Sequence, residues 1–119
     1  MNLKRLIEQV KQHPDADRIG MILCHNGIVR GTAREGRRVS GLQVTVDHDK
    51  LRTVIAENKQ KPGIVDILVE IAEGRNLAVG DDVMVLVVAG DIREHVIAVL
   101  TETLNAVKST VTRKQQFFI

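Results

Sequence analysis

Leu3, Leu6, Ile7 and Val10 recur at the i, i+3, i+4, i+7 spacing of one helical face, which predicts an amphipathic helix over residues 2–12. Pro14 ends it, because proline disfavours helical geometry in the residue before it, here His13. Ile19 to Cys24 is short, apolar and flanked by turn formers, the pattern of a buried strand. Residues 27–38 read as a strand end running into a Gly- and Arg-rich loop. Leu42, Val44 and Val46 alternate with Gln43 and Thr45, the period of a half-buried strand. Asp47 or Asp49 is placed to cap a helix carrying Leu51, Val54 and Ile55 on one face, which stops before Pro62-Gly63. Ile64 to Ile71 is a β-branched strand whose Asp66 and Glu70 fit a wet face. Turn formers on either side of Leu77 lead to Val83–Ala89, a continuous apolar run of the kind found in central strands. Beyond Gly90-Asp91, the positions Ile92, Val96, Val99, Leu100, Leu104, Val107 and Val111 mark a long helix to about residue 108. The order helix, strand, strand, helix, strand, strand, helix predicts an α+β fold with helices packed on a mainly antiparallel sheet.

At 119 residues and 13.2 kDa, with no repeat or linker, the chain is expected to be one domain over residues 1–119. Its single cysteine, Cys24, has no partner for an internal disulfide, so the fold rests on its core and suits a reducing cytoplasm. No apolar run approaches the roughly 18 residues of a membrane span, and residues 1–5 lack the apolar stretch of a signal peptide. Trp and Tyr are absent, and the two Phe are Phe117 and Phe118, so the core is aliphatic. The same shortage argues against sequence-tolerant nucleic-acid binding, which stacks bases on aromatic rings. Net charge is only +2, yet it is unevenly spread. Residues 1–61 hold 12 basic and 7 acidic side chains, residues 62–107 hold 2 and 8, and residues 108–119 hold 3 and none. Function therefore turns on whether folding unites the two basic stretches.

Most catalytic patterns are missing. The four histidines and Cys24 lack zinc-ligand spacing, and Cys24 and His25, adjacent on a strand, point to opposite faces. No serine sits in a nucleophile elbow, and Gly27, Gly31 and Gly36 lack the Gly-Lys-Ser/Thr ending of a phosphate loop. The reading therefore calls for no metal and no cofactor. Arg30, Arg34, Arg37 and Arg38 form either a solvated loop or an anion pocket, since guanidinium forks pair phosphate and carboxylate bidentately. Lys108, Arg113 and Lys114 form the second cluster. Lys108 either offsets the helix dipole or lays its stem on the core with its amine in a cleft.

The segment Gly74-Arg75-Asn76-Leu77-Ala78-Val79-Gly80-Asp81-Asp82-Val83, the apolar strand, Ala89-Gly90-Asp91-Ile92-Arg93 and the long helix ending in Lys108 resemble the catalytic large subunit of molybdopterin synthase, the MoaE family. Gly27-Ile28-Val29-Arg30 matches that family's Gly-x-Val-Arg. The resemblance implies an α/β hammerhead-type domain that forms a homodimer and, with two small ubiquitin-like sulfur-carrier subunits, a heterotetramer. It also implies sulfur transfer from the carrier's thiocarboxylated C-terminus to cyclic pyranopterin monophosphate, giving the dithiolene of molybdopterin. Carried over by position, Lys108 and Lys114 would be catalytic, and Arg30, Arg93 and Arg113 would bind substrate. Lys114 stands one residue before the strict position of the second lysine, which Gln115 occupies, so Arg113 and Lys114 are both candidates. Ile92 replaces the histidine of the family's His-Arg turn, and Ala72-Glu73 replaces an earlier His-Arg. These replacements keep open a second reading, a catalytically degenerate paralogue that serves as a binding or interaction protein. The Val83–Ala89 strand and Phe117-Phe118-Ile119 offer apolar surface for a homodimer. Alternatively the tail folds back on its own core, or frays.

Overall fold

A computed structural model describes residues 1–119. Helix α1 (Leu3–Lys11) begins where the Asn2 side chain accepts the Arg5 N–H, and a short 3-10 turn (Ala16–Arg18) leads into β1 (Met21–Ile28). Strand β2 (Val39–Val46) is followed by α2 (His48–Lys59), capped by Asp47, whose carboxylate accepts the Lys50 N–H at 3.1 Å. Strands β3 (Ile64–Ile71), β4 (Leu77–Ala78) and β5 (Asp82–Gly90) precede α3 (Arg93–Ala106). A π-helical turn (Val107–Val111) then delivers the chain into β6 (Thr112–Phe118).

The strands form two antiparallel sheets, ordered β1-β5-β3 and β4-β2-β6. As the Val83–Ala89 run predicts, β5 is the central strand of the first, with apolar layers on both faces. Leu86 and Val88 pack with Ile64, Ile67 and α3's Val96 and Val99. Val85, Val87 and Ala89 point the other way, onto Leu6 and Val10 of α1. In the second sheet, Leu42 and Val44 of β2 and Leu77 of β4 close over Val29 and Ala72.

The architecture is the expected α+β packing of helices on antiparallel strands, divided into two sheets rather than one. The division comes from the C-terminal residues. They form a full strand, β6, in register with β2 from Val39 opposite Phe118 to Val46 opposite Thr112. The long helix also ends sooner than its apolar spacing suggests. Val107 and Val111 are both buried, against Val54 and Met84, but the backbone between them widens into the π turn. The Ser109 and Thr110 hydroxyls donate to the carbonyls of Asn105 and Ala106 at the end of α3. The molecule measures 49 × 25 × 24 Å with a radius of gyration of 15.2 Å. A compact chain of this length would have about 13.5 Å.

Between β5 and α3, Asp91 accepts the Ile92 N–H at 2.6 Å and is hydrogen-bonded to His95 Nδ1 at 2.8 Å. Gly63, with φ of 79°, lies so close that a Cβ there would collide with both side chains, and its positive φ independently favours glycine. The hydrogen bond with His95, aided by the Ile92 N–H, holds the Asp91 carboxyl below the usual carboxylate range. A lowered carboxyl pKa stabilises the fold above the unfolded value, and that contribution is lost as pH falls through the folded one. Asp91→Ala is therefore expected to melt below the native protein at neutral pH. Melts repeated at falling pH should show the gap closing as the native carboxyl becomes protonated as well.

Candidate functional site

A cleft of about 430 Å³ opens where the two sheets meet. Its apolar walls come from Ile28, Leu42, Val44, Ile71, Val83 and Met84, which belong to β1, β2, β3 and β5. Its polar groups are His25 of β1, Arg34 of the β1–β2 loop, Lys108 of the π turn, and Thr112 and Lys114 of β6. Three cations thus converge from separate segments, and no carboxylate lines the cleft. Apolar walls lower the local dielectric, so such charges act more strongly on an incoming anion than on an open surface.

Each position has a local cause. Val107 and Val111 are 0% and 2% exposed, and their burial fixes the π turn that displays Lys108. Extra-wide turns of this kind recur at functional sites. Lys114 stands opposite Val44 in the β2–β6 ladder, and opposed residues share a face, so both line the cleft. Gln115 is opposite Gln43 and, by the alternation of a strand, points to the other face. The one-residue offset of the second lysine therefore still brings a lysine to the cleft.

The remaining basic residues lie elsewhere. Arg113, opposite Thr45, lines a separate polar groove with Lys50, Ser109 and Thr110. Arg30 is exposed, and its Nε donates to the Thr32 carbonyl at 2.8 Å. Arg93, at the start of α3, is 78% exposed and pairs with Glu94 at 3.6 Å. The arginine loop divides its labour: Arg34 faces the cleft, while Arg37 sits 3.8 Å above the Phe118 ring in a cation–π contact. Arg38 accepts the Ile119 N–H, which ties the loop to the end of β6. Glu73, where the resemblance expects a cation, bonds His48 Nε2 at 2.7 Å.

His25 is the cleft residue that sequence spacing does not single out. Its neighbour Cys24 turns to the core beneath α1, where burial raises the thiol pKa, so strand alternation sends the imidazole to the cleft. Burial, and then the charge of Lys108, lower the His25 pKa. The ring is therefore neutral at physiological pH. Its Nε2 is buried without a hydrogen-bond partner in the protein.

A family model described as MoaE protein matches residues 1–110. Molybdopterin cofactor biosynthesis protein E from Burkholderia multivorans superposes with a TM-score of 0.78 at 21% identity, over 97% of this chain and 80% of that one. Molybdopterin synthase from Staphylococcus aureus gives 0.72 at 19% identity, over 85% and 76%. A complex of subunits 1 and 2 of molybdopterin-converting factor from Helicobacter pylori gives 0.73 at 16%, over 99% and 84%. At these identities the structural likeness is one of fold. No curated protein matches the chain by sequence. No helix is long and apolar enough to cross a membrane.

Proposed function

The chain belongs to the MoaE protein family, and from that membership we propose that it acts in molybdenum cofactor biosynthesis as the large subunit of a molybdopterin synthase. In this reading it is a sulfurtransferase. It moves sulfur from the thiocarboxylated C-terminus of a small ubiquitin-like partner to cyclic pyranopterin monophosphate, in the cytoplasm, as a homodimer carrying two small subunits. The observation that carries the reading is the convergence of Lys108, Lys114 and Arg34 on one carboxylate-free cleft. Both proposed ligands are anionic, one through a phosphate and the other through a thiocarboxylate. Arg34 supplies a planar fork suited to phosphate. Lys108 and Lys114 supply compact charges that can follow negative charge as it builds on the carbonyl oxygen during transfer.

Arg30 and Arg93 face solvent outside this cleft, and their proposed part is to contact substrate or partner at its margins. Arg113, in the neighbouring groove with Lys50, has the same standing. Lys114 and Gln115 separate the two candidate positions of the second lysine. Lys114→Ala is expected to lower molybdopterin formation about tenfold or more, the effect of losing one charged transition-state contact. Gln115→Ala should stay within about twofold, as substitutions on an exposed face usually do. Equal losses from both, measured with purified partner and pterin, would remove Lys114 from the site.

The replacements at Ile92 and Glu73 support the second reading, a paralogue that binds the partner without chemistry. Ile92 is 49% exposed, and Glu73 is held by His48. Partner binding on a sizing column with no product from the pterin would establish that reading and exclude the first.

A further inference from the structure

The imidazole of His25 lines the cleft alongside Lys108, and two features set it apart. Nε2 has no hydrogen-bond partner in the protein, and a buried polar atom left in this way is costly. Two residues along the same face of β1 stands Gly27, where an added Cβ would come within 3.2 Å of Nε2. The missing side chain is the space the ring occupies.

The charged groups around it are all cationic. Arg34 comes from the β1–β2 loop, Lys108 from the π turn and Lys114 from β6. Strand β5, paired with β1, sets Leu86 opposite His25 and Met84 opposite Gly27, and its Asp82 accepts from Asn26, on the strand's other face. Helix α3 also packs on β1, but its charges are engaged elsewhere: Arg93 with Glu94, His95 with Asp91, and Glu102 with Lys61. No carboxylate lines the cleft to favour an imidazolium.

We propose that His25 is the proton-responsive member of the cleft: an oxyanion seated between Lys108 and Lys114 draws a proton onto the imidazole, and the imidazolium adds a further positive charge to hold it. The proposal rests on the anion-binding reading of the cleft and extends it to a residue that the reading does not need. The physics is reciprocal. The two influences that keep the ring neutral are burial and the field of Lys108, and a bound anion offsets the second. By linkage, a ligand that favours the protonated ring binds more tightly when the ring is protonated. Anion affinity therefore rises on acidification through the range in which His25 titrates.

Sulfate is the suitable probe, because it stays fully ionised across that range. The four imidazole signals are followed by NMR against pH with and without sulfate, and His25→Phe identifies the His25 signal. The expected result is a His25 midpoint below the ordinary histidine value in the free protein, rising by about one pH unit with saturating sulfate. Sulfate affinity should then grow about tenfold on acidification. His25→Phe keeps a ring in the site and removes the orphaned nitrogen, so it should fold normally and bind sulfate with no such growth. Gly27→Ala crowds Nε2 and should weaken the response while leaving the three cations in place. Sulfate binding that is lost in Lys108→Ala, but leaves the His25 midpoint unmoved, overturns this proposal and spares the function reading. Failure of sulfate to bind at all overturns both.

Discussion

Lys108→Ala is expected to lower molybdopterin formation by about 10²- to 10³-fold, with partner binding retained. The magnitude is that of removing one preorganised charge from a site where negative charge develops. The structure gives the substitution a clean background. Lys108 is exposed, and the buried neighbours that hold its turn, Val107 and Val111, are untouched. Surface truncations of this kind usually change stability by no more than about 0.5 kcal/mol. A near-native melting temperature together with a large loss of turnover would place the effect in the site. The same variant has a second readout, because Lys108 helps to depress the His25 pKa. Its removal should bring His25 titration back toward the ordinary value, and an unmoved midpoint would deny the two residues their proximity.

Leu86→Ala should produce the largest loss of stability. Leu86 is 0% exposed in the central strand, beneath α3 and between β1 and β3. Leucine-to-alanine changes at such sites cost about 3–5 kcal/mol, which combines lost transfer energy with the cavity left behind. That is a large part of the roughly 5–15 kcal/mol that ordinarily separates folded from unfolded states. The melting temperature should fall by about 10 °C or more. A shift of only a few degrees would mean that the first sheet is packed more loosely than these contacts require.

The first sheet and β2 of the second were readable in the sequence, and β6 was nearly invisible. Val83–Ala89 is apolar at every position, and only a strand covered on both faces needs that. The helix spacing at Leu3, Leu6, Ile7 and Val10 was equally direct, because α1 buries one stripe and leaves the rest wet. Thr112–Phe118 carries no such signal. Its Arg113, Lys114, Gln115 and Gln116 are polar on both faces, since one face borders a wet cleft and the other a polar groove. Strand formation there is imposed by pairing with β2, a long-range effect that local pattern does not record. The cleft was readable in part for the same reason. Lys108 was marked by the apolar helix face that precedes it. Arg34 was one of four loop arginines, and its distinction from Arg37 depends on where Phe118 lies. His25 had a signal in the alternation with Cys24, but its meaning needed the position of Lys108, 83 residues away in sequence.

Reconstitution tests the catalytic role of the protein most directly. The purified protein is mixed with a thiocarboxylated small-subunit partner and cyclic pyranopterin monophosphate, and molybdopterin is quantified beside a control without the protein. Product well above that control, and its loss in Lys108→Ala, is the predicted result. Partner binding with product no higher than the control would contradict it and leave a MoaE-family protein that binds without catalysis.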